Sequence, residues 1–193
     1  FMTSGQYEPE GIFLALPLEG ALRILQGWGE HPDYYGRFTY NGVALKGHIG
    51  LDLAAPGGAW VLAADAGRVV EISAEPGGFG QYLKLEHAWG ESLYAHVMAP
   101  AVDSGQSVSR GQRLARVEPT RRRFPTHLHF AIRVAPYNRF DGWGGFSDPL
   151  AFLYLPEPIA GAENGPPVEI DGWAAQPEDL PPVLVERPGV RRP

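Results

Sequence analysis

"THLHFAI", Thr126 to Ile132, sets Leu128, Phe130 and Ile132 at alternate positions, with His127 and His129 between and before them. Successive side chains of an extended chain point to opposite faces. This period of two therefore belongs to a strand with an apolar face for a core and two imidazoles side by side on the other face. The pattern recurs. In "QYLKLEH" (81–87), Tyr82, Lys84 and Glu86 alternate with Leu83 and Leu85, and "ESLYAHV" (91–97) follows the turn "AWG". "AWVLAADAGRVVEISA" (59–74) reads as strand, turn at Asp65–Ala66–Gly67, and strand, in the manner of a hairpin. "VDSGQSVSRGQRLARV" (102–117) holds two Gly-Gln turns between short apolar stretches, and "FSDPLAFLYL" (146–155) is expected to close the domain with a short helical turn. No helical pattern persists beyond about ten residues. The expected fold is all-β: a sandwich or barrel-like domain with few or no long helices.

A chain of 193 residues fits one domain, or one domain with an extension. It is long enough to fold without a disulfide or a structural metal, so a metal site would serve function first. Residues 1–18 read as an irregular lead-in and 19–155 as the folded domain. Residues 156–193 hold 9 of the 19 prolines and more acids than bases, the composition of an extended tail or linker. The net charge of −6 argues against a nucleic-acid binder, which needs a basic face. Cysteine is absent, so any metal must be held by His, Asp or Glu. No apolar run reaches the roughly 18 residues of a membrane span, and stable membrane insertion is not expected. "GIFLALPL" (11–18) lacks a preceding basic region and a following cleavage site, so no signal peptide is read there.

Three stretches carry chemistry. His127 and His129 share one strand face. In "GHIGLDLAAPGG" (47–58), His48, Gly50 and Asp52 share a face of an extended chain, and Gly50 leaves room for something to approach. Imidazole nitrogen and carboxylate oxygen both suit zinc. In "SLYAHV", alternation places Tyr94 and His96 on one face and Leu93, Ala95 and Val97 on the other. Together these stretches hold four of the six histidines and one acid, enough for three protein ligands and further histidines for proton transfer. His31 and His87 read as ordinary loop residues. No HExxH is present, so the proton work would fall to histidine.

The order and spacing of "GHIGLDLAAPGGAWVLAADAGRVV", "SLYAHV", "VDSGQSVSRGQRL", "THLHFAI" and "DPLAFL" resemble the lysostaphin-type (LytM-like) zinc endopeptidases, metallopeptidase family 23, over residues 18 to 155. The resemblance implies an antiparallel β-sandwich or barrel-like domain with an open groove and one Zn²⁺, cleaving peptide bonds of bacterial peptidoglycan in stem-peptide cross-links or glycine bridges. It implies that His48, Asp52 and His129 are the metal ligands, and that His96 and His127 handle protons and steady the tetrahedral intermediate. A monomer acting on wall peptides is implied, in a secreted, periplasmic, wall-associated or phage-delivered setting.

Where the family carries a small-residue, Gly-rich loop and Gly-Pro before HxH, this chain has "EPTRRRFPT" (118–126), and Ala131 stands where Glu is common. Arg121, Arg122 and Arg123 are candidate contacts for substrate carboxylates, and Tyr94 a candidate lining residue. The alternative is a non-catalytic wall-binding or amidase-regulating module of the same fold, which would be expected to have lost ligand residues. None is lost here.

Overall fold

A computed structural model of the protein describes residues 11–20, 22–76, 79–120 and 124–154, with the backbone of 169–170. The strands are β1 (Arg23–Gln26), β2 (Thr39–Tyr40), β3 (Val43–Ala44), β4 (Leu51–Ala54), β5 (Trp60–Leu62), β6 (Gly67–Glu75), β7 (Gly80–His87), β8 (Gly90–Ala95), β9 (Val97–Met98), β10 (Ser107–Val108), β11 (Arg113–Val117), β12 (His127–Val134) and β13 (Glu169–Ile170). One four-residue helix, α1 (Pro32–Tyr35), and a 3-10 turn at Pro149–Phe152 complete the elements. The turn is capped by the Asp148 carboxylate, which accepts from Leu150 N–H. Among the described residues no helix is long and apolar enough to cross a membrane.

An eight-stranded sheet runs β10-β6-β7-β8-β12-β4-β1-β13, antiparallel except for the β1–β13 pair. A three-stranded sheet, β5-β11-β9, and the β2–β3 hairpin accompany it. The all-β expectation therefore holds. β12 lies inside the large sheet between β8 and β4, and all eight of its residues are buried. Leu128, Phe130 and Ile132 enter the main core with Leu51, Leu53, Leu83, Leu85 and Tyr94. The other face meets a second apolar cluster that includes Leu93, Ala95, Ala131, Phe79 and Phe124. The histidine face is thus roofed and not a solvent-facing polar surface.

The segment 59–74 is not a hairpin. β5 pairs with β11 in the small sheet, while β6 pairs with β7 and β10 in the large one. The chain changes sheets at Asp65, because the strand partners for residues 61–63 come from elsewhere: Leu62 N–H donates to Pro17 O and Ala63 N–H to Gln112 O. The two Gly-Gln turns are near copies. Gly105 and Gly111 take positive φ, and the Gln106 and Gln112 side chains accept from the Asp103 and Ser109 N–H groups. In the lead-in, Ile12, Leu14 and Leu18 are buried in the main core, with Leu14 bridging to Leu153 and Leu18 to Val61. Apart from the β13 backbone, the proline-rich segment 156–193 lies outside the described residues.

Candidate metal centre

Three neighbouring elements deliver the polar cluster. β12 and β4 run antiparallel with His129 opposite Asp52. The approach to β4 carries His48, which is clamped to the loop after β1: Gly29 N–H donates to His48 O and His48 N–H to Glu30 O, both at 2.9 Å. That clamp needs bare glycine at position 47, where a Cβ would fall 2.4 Å from Gly29 O. Gly50 is equally constrained, since a Cβ there would meet Phe130 O at 2.7 Å and His129 Cε1 at 2.8 Å. The space that Gly50 leaves is filled by the His129 ring and the β12 backbone.

The donor atoms converge. His129 Nδ1 lies 2.9 Å from Asp52 Oδ1, His48 Nε2 3.3 Å from the same oxygen, and the two nitrogens are 3.3 Å apart. Tetrahedral coordination with bonds of about 2.0–2.2 Å spaces its donors roughly 3.3–3.6 Å apart, close to this triangle. All three residues are buried, and one ligand atom from each lies within 4.8 Å of the others. His48 Nδ1–H donates to Gly27 O at 2.9 Å, which fixes the tautomer and turns the Nε2 lone pair inward. Four buried side-chain atoms among the described residues lack a hydrogen-bond partner, and three belong to this cluster: Asp52 Oδ2, His127 Nε2 and His129 Nε2.

The charge states suit a cation. Burial raises the Asp52 carboxyl, yet the attraction of the neighbouring His48 and His127 outweighs it, together with the His129 contact at Oδ1, and holds the group well below the usual carboxylate range. Burial pushes the His129 imidazole down against the opposing pull of Asp52, so it stays neutral near pH 7, the form that ligates.

His127 and His96 complete the cluster. His127 Nδ1–H donates to Pro125 O at 2.9 Å, leaving Nε2 as an acceptor 3.8 Å from Asp52 Oδ1. His96 sits between β8 and β9 with φ of 61°, and its ring meets that of His127 at 4.8 Å, edge-on. That left-handed residue breaks the strand alternation, which corrects the assignment of Tyr94. Tyr94 does not share the face of His96 and cannot line a substrate site. It is fully buried in the main core against Phe130, and its hydroxyl accepts from Ala64 N–H at 2.8 Å and lies 3.1 Å from Ser92 Oγ. His87 is no loop residue either. It ends β7, stacks on Trp89 and bonds to Ala66 O and Ser92 Oγ. Arg121, Arg122 and Arg123 lie outside the described residues.

Residues 46–141, half of the chain, match the model of peptidase family M23. The chain belongs to that family. A solved zinc-containing peptidase from Vibrio cholerae superposes with a TM-score of 0.52 and 33% identity, covering 64% of this chain and 37% of that one. Peptidoglycan DD-endopeptidase ShyB of Vibrio cholerae is 38% identical over 88 residues, 45% of this chain and 20% of the relative. The uncharacterized lipoprotein YgeR of Escherichia coli is 36% identical over 88 residues, 45% of this chain and 35% of the relative. The chain thus spans 20% and 35% of the length of these two relatives. Within the M23 match lie all five clustered residues, His48, Asp52, His96, His127 and His129.

Sequence reasoning missed the surroundings of the cluster. Phe79 stacks on His129 at 5.1 Å, Phe124 packs edge-on to His127 at 4.8 Å, and Tyr35 tilts against His48 at 5.4 Å. Phe79 and Phe124 come from segments without strand alternation, and Tyr35 from a helix of one turn, where no periodicity signals burial.

Proposed function

We propose that the protein is a zinc-dependent endopeptidase that hydrolyses peptide bonds in bacterial peptidoglycan. The convergence of His48 Nε2, Asp52 Oδ1 and His129 Nδ1 beside the unpartnered His127 Nε2 carries this reading. Two imidazoles and one carboxylate are a donor set suited to zinc, and three protein ligands leave a position open for chemistry. When bound, zinc supplies Lewis-acid polarisation of the scissile carbonyl and a water of lowered pKa.

The chain's own residues do the rest. His127 Nε2, the ring nitrogen turned to the cluster when Nδ1–H donates to Pro125 O, accepts a proton from the attacking water and returns it to the leaving amine. His96, edge-on to His127, presents a second imidazole on that side of the cluster and donates to the developing negative charge. Burial of Asp52 and both ligand histidines keeps bulk water from competing for the donors. Peptidoglycan is favoured as substrate by the relatives named for DD-endopeptidase activity. The lipoprotein relative favours a compartment outside the cytoplasmic membrane. We assign the catalysis to residues 19–155, acting as a monomer, with residues 11–18 bracing that domain.

The test is zinc content by elemental analysis together with release of soluble muropeptides from purified sacculi, separated by chromatography. Zinc-dependent release, abolished by a chelator and restored by zinc, is expected. A zinc-loaded protein that releases nothing from walls of several cross-link chemistries would overturn the proposal.

A further inference from the structure

Gln26 and Asp52 are opposite each other in the β1–β4 ladder, just past a shift of register between Ile24 and Gln26, so their side chains are cross-strand neighbours. Both are buried. Gln26 Nε2 lies 2.5 Å from Tyr35 Oη, an arrangement that leaves Gln26 Oε1 and Asp52 Oδ2 as two buried acceptors without a donor. Buried acceptors left unpaired on facing residues are costly. The oxygen and nitrogen of a glutamine amide exchange places by a half-turn and are assigned from their partners. In the exchanged orientation Gln26 Oε1 would accept the Tyr35 hydroxyl proton, and Nε2–H would take the place of the orphaned acceptor and be offered to the facing Asp52. A single rotation would thus give Gln26 Oε1 a donor and bring a donor to the side of Asp52. Tyr35 is fixed for this role: it is fully buried, tilted against His48 and packed edge-on to Tyr34.

We propose that Gln26 and Tyr35 are positioning residues for the metal centre. The chain Tyr35 Oη–H to Gln26 Oε1, then Gln26 Nε2–H to Asp52 Oδ2, occupies one carboxylate oxygen and leaves Oδ1 to face His48 and His129. The inference rests on the zinc site proposed above. It adds two residues far from the HxxxD and HxH stretches to the determinants of metal affinity.

Zinc affinity measured by competition with a chromophoric chelator tests it, for the unmodified protein, Gln26→Met and Tyr35→Phe. Gln26→Met should raise the zinc dissociation constant roughly 10–100-fold, the range for loss of an outer-shell partner, and Tyr35→Phe should raise it by less. The Co²⁺-substituted proteins should differ in their visible absorption, a signature that a purely structural role would not move. In the unmodified protein, one Gln26 side-chain amide proton should show a hydrogen-bonded NMR shift that moves in Asp52→Asn. Folded variants with unchanged zinc affinity and cobalt spectrum overturn the inference and leave the proposed function standing. An unmodified protein that binds no zinc overturns both. If Gln26→Met does not fold, Tyr35→Phe decides the affinity arm, and a Gln26 amide resonance indifferent to Asp52→Asn overturns the inference without any Gln26 variant.

Discussion

His129 lies opposite Asp52 in the β12–β4 ladder, and this register brings Nδ1 to 2.9 Å from Oδ1. A slip of one residue would turn His129 into the core and Leu128 or Phe130 toward the cluster, so strand pairing and the proposed metal site are fixed together.

Asp52→Ala and His129→Ala should each lose zinc by more than the roughly 10–100-fold that outer-shell changes cost. Elemental analysis after dialysis against buffered zinc is the check. Retention of wild-type zinc by either variant would exclude that residue from the donor set.

His127→Ala and His96→Ala should keep zinc and lose turnover. The expected fall is about 10²–10⁴ for His127, as for loss of a general base. It is about 10²–10³ for His96, as for loss of an oxyanion donor. Muropeptide release rates normalised to bound zinc measure both. Zinc loss in His127→Ala would move that residue among the ligands.

Gly50→Ala should damage the site from behind. Its Cβ would fall 2.7 Å from Phe130 O and 2.8 Å from His129 Cε1, so the backbone of β4 or β12 must move. Overpacking of this kind costs about 1–3 kcal/mol. Chemical denaturation and zinc titration should both report a loss, whereas an alanine variant with unchanged zinc affinity would show that the strands separate freely here.

Tyr94→Phe separates packing from function. The phenol ring stays in the core, but Ala64 N–H loses its acceptor, a change worth about 1–3 kcal/mol. The unfolding midpoint should fall while kcat/KM of the folded enzyme is unchanged. A lowered kcat/KM at full folding would return Tyr94 to the substrate site.

His87 should make stability pH-dependent. Burial holds its imidazole below the ordinary value of 6.5, so the unfolded chain takes up the proton first. This contribution is complete above about pH 6.5 and is lost as pH falls toward the lower folded value. Protonation also ends the acceptance of Ser92 Oγ–H at Nε2, because Nδ1–H already serves Ala66 O. Urea midpoints between pH 7.5 and 5 should fall less steeply in His87→Gln, and identical slopes would remove His87 as a source of acid sensitivity.

Much of the fold and site was legible in local patterns. Period-two alternation located β7, β8 and β12, and the Gly-Gln spacing located two turns that take near-identical form. The same rule failed at His96. One residue with φ of 61° turns its ring to His127 and leaves Tyr94 in the core, and a histidine in the left-handed region has no signature in sequence. It failed again at 59–74, because a strand and turn read alike whether the next strand returns to the same sheet or crosses to another.

By itself the sequence determined which side chains could do chemistry: a histidine and an aspartate four residues apart, a histidine pair on one strand face, and no cysteine to compete. Tertiary structure alone decided how they are arranged. The ladder register joins Asp52 to His129 and Gln26, the backbone carbonyls of Gly27 and Pro125 set which nitrogen of His48 and of His127 faces the cluster, and burial sets the charge on Asp52 and His129. Strand periodicity is a property of a few consecutive residues. Register, tautomer and burial arise only between segments far apart in the chain, where short-range pattern carries no information.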